Sequence, residues 1–324
     1  MMQFASGTPD HGPGSSPATE PNAATTPPVN YRVMHRTVYR YSAPVAVCQN
    51  QLRMRPRRLP SVRVNRSDTT ILPRPDTREN HVDYFGNEVE TFAIEALHDK
   101  LVVSVESDVT VTPLTIGQPD RAILWRDVVE RLQRPVTDHL AGEDLLKVGE
   151  FVFASPRISW DDTFRQYAMA SFDKHETLVD AAVDLTRRIY TDFKYDSVAT
   201  HVDTLVDQAF ALKAGVCQDF AQVQIACLRS LGLAARYVSG YLRTLPPPGK
   251  PKLVGADESH AWSSVYLGGQ HGWLDLDPTN GCVTGRDHIP ICFGRDYKDV
   301  SPMRGVAIGG GKAELKVSVD VAEV

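Results

Sequence analysis

The chain has 324 residues, 35 Lys and Arg against 40 Asp and Glu, a formal charge of −5, 42% hydrophobic and 23% charged residues. That is the make-up of a globular protein long enough for two domains, and its acidic excess argues against general nucleic-acid affinity. The five cysteines (48, 217, 227, 282 and 292) form no C-x-x-C or zinc-ligand pattern, the N-terminus has no basic-then-apolar leader, and no apolar run approaches membrane-spanning length. A reducing, cytoplasmic compartment with no membrane partner is the expectation.

Residues 1–29 are rich in Pro, Ser, Thr, Ala and Gly and offer little to bury, so a disordered tail is expected. At Tyr31 the pattern turns to alternation. Tyr31, Val33, His35, Thr37 and Tyr39 fall on one face and Arg32, Arg36 and Arg40 on the other. Leu52-Arg53-Met54-Arg55 and the run 101–105 keep the same period, and Phe85-Gly86-Asn87-Glu88 has turn chemistry. These features predict an antiparallel β domain over 30–114. The arginines at 53, 55, 57, 58, 63 and 66 read best as a solvated or ion-paired face, with an acidic partner as the lesser reading.

A linker and helical region is expected over 115–170, its clearest helix being 121–132. Leu178, Ala181, Leu185 and Ile189 then trace a helical stripe, and Thr204 with Asp207 resembles a capping box before a short helix. The next helix starts at Cys217, with Phe220, Val223, Cys227 and Leu231 as its buried stripe and Gly232 as its end. Beyond it lie β-rich runs at 234–243, 260–267, 272–277 and 306–321. Helices followed by an antiparallel sheet give an α+β domain over 171–324.

The chemistry concentrates in three places. Cys217 opens a helix, where unpaired N–H groups and the positive end of the helix dipole favour thiolate over thiol. Gly215 before it leaves room for a substrate backbone. Two β-rich runs flank Gly268-Gly269 as a hairpin. A two-residue turn sets His260 directly across from Asp277; a four-residue turn sets it across from Thr279, with Asp277 diagonal. Both registers keep the imidazole and carboxylate on one face. A thiol, an imidazole and an orienting carboxylate are the parts of a thiol acyl-transfer site. Asp275 competes for the orienting role. Asp219 reads as a cap as readily as a chemical group, Cys227 and Cys292 as core, His271 as solvated, and Trp262 as a wall of the site or a packing residue.

Four blocks resemble the bacterial transglutaminase-like proteins of the papain-like superfamily: Gly215-Val216-Cys217-Gln218-Asp219-Phe220-Ala221, residues 235–241, Ser259-His260-Ala261-Trp262 and Asp277-Pro278-Thr279-Asn280-Gly281. The resemblance runs from about residue 30 to the C-terminus. Its early part, with His35 to Tyr41 and Phe85-Gly86-Asn87, is similar to the family's N-terminal β-rich domain. The resemblance implies an N-terminal antiparallel β domain before a papain-like, transglutaminase-like catalytic domain. It assigns Cys217 as nucleophile, His260 as general base and acid, and Asp277, over Asp275, as the orienting carboxylate. Gln222 departs from the His that relatives often carry there. Asp296 and Tyr297 match a family block without a physical assignment. The implied partners are a peptide or protein amide substrate and, for transamidation, an amine acceptor. No cofactor or metal is required, and no calcium-loop pattern is present. Hydrolysis is favoured because water needs no dedicated pocket. Gln208 and Tyr195 are candidates for a second oxyanion donor beside the Cys217 N–H. A non-catalytic peptide- or protein-binding module is the alternative.

Overall fold

The computed structural model describes residues 27–113, 116–134, 148–244, 258–268 and 272–324. Of the expected tail, residues 1–26 lie outside these. Val29 is already buried in the first strand, so order begins slightly before Tyr31.

Five strands come first: β1 (Val29–Leu52), β2 (Val62–Leu72), β3 (Thr77–Val82), β4 (Glu88–Ile94) and β5 (His98–Val111). The alternation seen in the sequence is the burial pattern of β1: Tyr31, Val33, His35 and Thr37 are inside, while Arg32, Arg36 and Arg40 are outside. β1 is long enough to serve several partners, pairing β5 along its first half and β4 along its second, with an irregularity between Arg40 and Val45. β3 and β4 form a hairpin across the Phe85-Gly86-Asn87-Glu88 turn. Asp83 Oδ1 closes its turn by accepting the N–H groups of Phe85 (3.0 Å) and Asn87 (2.9 Å).

The middle of the chain supplies α1 (Gln118–Arg121), α2 (Trp125–Gln133), a 3-10 turn (Glu150–Val152), α3 (Asp162–Phe172), α4 (Leu178–Asp192), β6 (Lys194–Tyr195), α5 (Val206–Leu212), β7 (Ala214–Gly215) and α6 (Cys217–Ser230). The single helix expected over 121–132 is broken. Leu124 is extended and bridges Thr177, and the Ile123 carbonyl accepts the Leu178 N–H at 2.7 Å, so the start of α4 takes the backbone that a continuous helix would use. The capping box at Thr204 and Asp207 also fails to form. Leu205 is the N-cap, its N–H donates to Gln208 Oε1 at 3.3 Å, and Thr204 accepts from the His201 N–H instead. Leu178, Ala181, Leu185 and Ile189 are fully buried, as the stripe requires.

The last elements are β8 (Ala235–Leu242), β9 (Glu258–Gly268), β10 (Gly272–Asp277), β11 (Cys282–Val283), β12 (His288–Gly294), α7 (Tyr297–Val300), β13 (Met303–Gly309) and β14 (Ala313–Glu323). A five-stranded sheet runs β11-β10-β9-β8-β12, and α6 packs on it through β9 and β8. β13 and β14 leave this unit. Both pair with β1, β14 over Tyr31 to Tyr41 and β13 over Val45 to Leu52, completing a seven-stranded sheet. The division at 171–324 therefore assigns these strands to the wrong sheet; alternation marks a strand but not its partner.

Specific polar contacts join the two units. Asn87, fully buried, donates to the Phe293 carbonyl (2.8 Å) and accepts the Phe293 N–H (2.9 Å). The Tyr241 hydroxyl donates to the Met54 carbonyl (2.9 Å) and meets His35 Nδ1 (2.9 Å), and burial lowers the His35 pKa to about 4. Among the described residues no helix is long and apolar enough to cross a membrane.

Candidate active site

The start of α6 is built by Asp219. Its Oδ2 accepts the N–H of Val216 (2.9 Å) and the hydroxyl of Thr200 (2.6 Å), anchoring the first turn and the preceding loop. The capping reading of Asp219 is thus the observed one. Burial pushes its carboxyl above the ordinary range, against the pull of those two bonds. Gly215 serves the same cap, since a Cβ there would lie 2.4 Å from Asp219 Oδ2. The space beside Gly215 is filled by this carboxylate and not left for a substrate backbone. Cys217 follows as the first helical residue, partly exposed, its own N–H among those a helix N-terminus leaves without an intrahelical partner.

His260 lies on β9 opposite Gly240 of β8. Gly240 is there because the Trp262 ring covers it; a Cβ would sit 2.2 Å from that ring. Across the hairpin, Asp275 faces Ser264 and Leu276 faces Ser263, the register of the four-residue turn. The two-residue turn is therefore incorrect, and Asp277 reaches His260 diagonally. The turn residues 269–271, His271 included, lie outside the described residues. His260 Nε2 meets Asp277 Oδ2 at 2.7 Å, and Cys217 lies close enough to His260 to raise the pKa of its ring. With Nε2 committed to Asp277, Nδ1 is the ring nitrogen left for the thiol. Cys217, His260 and Asp277 are brought together. Asp275 is not part of this group: its Oδ2 accepts the Trp262 indole N–H at 3.1 Å. Trp262, fully buried, packs 6.1 Å from His260 between ring centroids.

Asp277 is fully buried and heavily solvated by protein. Besides His260 it accepts from His288 Nε2 (3.0 Å), Asn280 Nδ2 (2.6 Å) and the N–H groups of Thr279 (2.9 Å) and Asn280 (3.2 Å). Burial alone would raise its pKa, but the bonds from His260 and His288 reverse this and hold it well below the usual carboxylate range. Burial likewise disfavours charge on His260. The bond to Asp277 and the nearness of Asp277 and Cys217 prevail and raise it to about 10. At neutral pH this is an imidazolium resting on a carboxylate.

His288 was not anticipated. It heads the buried run of β12, with no motif to mark it. The Gly285 N–H donates to its Nδ1 at 3.2 Å, so Nε2 carries the hydrogen given to Asp277. Asn280 stood within the Asp-Pro-Thr-Asn block, but its role needed the folded turn. His260, Asp277 and His288 also place potential metal-ligand atoms within 4.8 Å of one another. The arrangement does not suit a cation, which would have to replace the hydrogen each Nε2 donates to the shared Oδ2.

The remaining residues sort by environment. Cys227 and Cys292 are fully buried core, and burial pushes the Cys227 thiol up to about 12. Gln222 is fully buried in α6, and no hydrogen-bond partner for its amide is found among the described residues. Gln208 is exposed, with its amide oxygen committed to the start of α5. Tyr195 pairs with Gly215, two residues from Cys217. Asp296 caps α7, accepting the N–H groups of Lys298 and Arg157, both at 2.8 Å, and Tyr297 packs on Tyr237. The arginine segment is paired: Arg53 with Asp83 (3.1 Å), Arg55 with Glu90 (2.9 Å), and Arg57 with Asn87 (2.7 Å) and over the Phe293 ring.

Residues 31–110 match the bacterial transglutaminase-like N-terminal region, and residues 165–278 match the transglutaminase-like superfamily core. An uncharacterized protein of Mycobacterium tuberculosis (strain ATCC 25618 / H37Rv) is 39% identical over 295 residues, covering 90% of this chain and 92% of its own length. One from Mycobacterium leprae is 31% identical over 302 residues, covering 90% and 98%. In fold, the chain is similar to a crystal structure described as a candidate cysteine protease of Cytophaga hutchinsonii. The TM-score is 0.70 at 22% identity, over 93% of this chain and 92% of that one. The chain belongs to the bacterial transglutaminase-like family, with an N-terminal antiparallel sheet followed by a papain-like α+β domain.

Proposed function

We propose that this protein is a thiol-dependent acyl transferase acting on peptide or glutamine amides through Cys217, His260 and Asp277. One observation carries the reading: His260 bonds to the buried Asp277 on one side and is near enough to a cysteine at a helix N-terminus for that sulfur to raise its pKa. The Cys217 thiolate attacks the amide carbonyl, and the Cys217 N–H receives the developing oxyanion. The imidazolium of His260 gives its Nδ1 proton to the departing amine, and a thioester forms. Neutral His260 then takes a proton from water or a second amine, whose attack releases the acyl group and restores the thiolate. Asp277 stays ionised throughout, because its surrounding donors stabilise the anion. It fixes the tautomer and favours the imidazolium.

Hydrolysis is the favoured outcome, since water needs no acceptor pocket. Incubation of a glutamine-containing peptide with and without a primary amine, followed by mass spectrometry, separates the outcomes. Deamidated or cleaved peptide supports hydrolysis, and an amine adduct without hydrolysis product reverses that preference. Undiminished turnover in Cys217→Ala would remove the enzyme reading altogether.

A further inference from the structure

A cavity of about 530 Å³ lies where the end of β1, the start of β13 and α7 meet. Its ionisable walls are Arg157, Lys298, Arg304 and Tyr297, with the amides Gln49, Asn50 and Gln51 beside them and no carboxylate side chain in the lining. In a chain of net charge −5, three cations around one hollow make a local reversal of sign. The nearby acids are already engaged. Asp296, fully buried, caps the N–H groups of Arg157 and Lys298; Asp299 pairs with Arg295; and Asp203, largely exposed, pairs with Arg157. Lys298 and Arg304 are exposed, and neither has an ion pair or side-chain hydrogen bond among the described residues.

Two links tie this cavity to the candidate active site. Tyr297, in its wall, packs against Tyr237 of β8 (6.4 Å between ring centroids), the strand that pairs with the His260 strand β9. Arg157 pairs with Asp203, and the adjacent Val202 carbonyl accepts the amide of Gln218, the residue next to Cys217 (3.2 Å). Arg157 thus borders both the cavity and the loop held against the start of α6.

We infer that this cavity is a substrate subsite that binds an acidic stretch of peptide, carboxylates against Lys298 and Arg304, unpaired among the described residues, and so selects acyl donors flanked by Asp or Glu. The inference rests on the acyl-transfer reading for its purpose, while the binding itself does not. The subsite acts on affinity: it contributes to KM and leaves kcat unchanged, because its charges lie outside the reacting groups.

The test uses full-length Cys217→Ala protein and two fluorescein-labelled peptides of equal length around one glutamine, one rich in glutamate and one in lysine, read by fluorescence anisotropy. The glutamate peptide is expected to bind about tenfold or more tightly than the lysine peptide, and to weaken with salt. Adding Lys298→Glu and Arg304→Glu should abolish that preference, and the milder Lys298→Gln with Arg304→Gln should reduce it. Lys312→Glu with Lys316→Glu, on the β13–β14 hairpin, should leave it intact. Equal binding of the two peptides, or an unchanged preference after charge reversal at 298 and 304, overturns the inference. Failure of the enzyme reading is scored separately, by turnover of an uncharged glutamine peptide in the wild type. Binding without turnover would keep the subsite and discard the catalysis.

Discussion

Among the described residues, a cysteine lies near a histidine in each of the two units. In the N-terminal sheet, Cys48 Sγ lies 3.7 Å from His98 Nε2; in the second unit, Cys217 is near enough to His260 to raise its pKa. The first pair sits on strands, with Cys48 1% exposed and its thiol pushed up by burial. His98 has a backbone carbonyl behind it, that of Ala96 at 2.8 Å, where His260 has a carboxylate. The second pair has a partly exposed sulfur at a helix N-terminus and a buried carboxylate behind the imidazole. Proximity of thiol and imidazole is common to both. What differs is the charge supplied from behind and the access from in front, and these are the properties a nucleophile needs.

The comparison is broken most directly at the sulfur. Cys217→Ala is expected to reduce amide turnover to background while Cys48→Ala retains wild-type kcat, measured as ammonia or amine release from a glutamine peptide; equal losses would remove the distinction. Asp277→Asn comes next. The side chain keeps its shape but loses the charge that favours the imidazolium, so kcat should fall by roughly 10³ to 10⁴. His288→Gln removes one donor to Asp277 and leaves the triad atoms in place. A drop of about tenfold in kcat with little change in KM is expected, and a change confined to KM would mean that His288 does not act through Asp277.

The charged pair also gives a pH signature. The His260 pKa rises from 6.5 to about 10 on folding, so its stabilisation is complete below about pH 6.5 and is lost as pH rises through about 10. Asp277 is held below its ordinary value of 3.8, so its contribution is present above about pH 4 and is lost as pH falls through the depressed value. Calorimetry should therefore show Tm falling between pH 7 and pH 10 in the wild type and a flatter profile in His260→Gln. A His260→Gln protein with the wild-type alkaline slope would contradict the ion pair. The smallest effect belongs to Cys48→Ala, a loss of about 1 kcal/mol from a buried packing site, read by urea unfolding.

Much of this protein was legible as sequence because the signals were local. Alternation from Tyr31 to Tyr39 fixes which face of β1 is inside, and the stripe from Phe220 to Leu231 marks the buried side of α6, whatever surrounds them. Period two likewise put His260 and Asp277 on one face before any register was known. Tertiary structure decided the rest, because it depends on partners far apart in the chain. The hairpin register was decided by how β9 and β10 pair. The resemblance already named Asp277 over Asp275, and the fold supplies the physical reason: the Trp262 indole engages Asp275. β13 and β14 return to β1 because that strand has an edge to fill, a fact the alternation of 314–321 does not contain. His288 joins Asp277 only once β12 lies beside β8 and the Gly285 N–H has selected its tautomer. A periodic pattern records how one segment meets its surroundings, whereas a buried charge is stable only where several segments converge to solvate it.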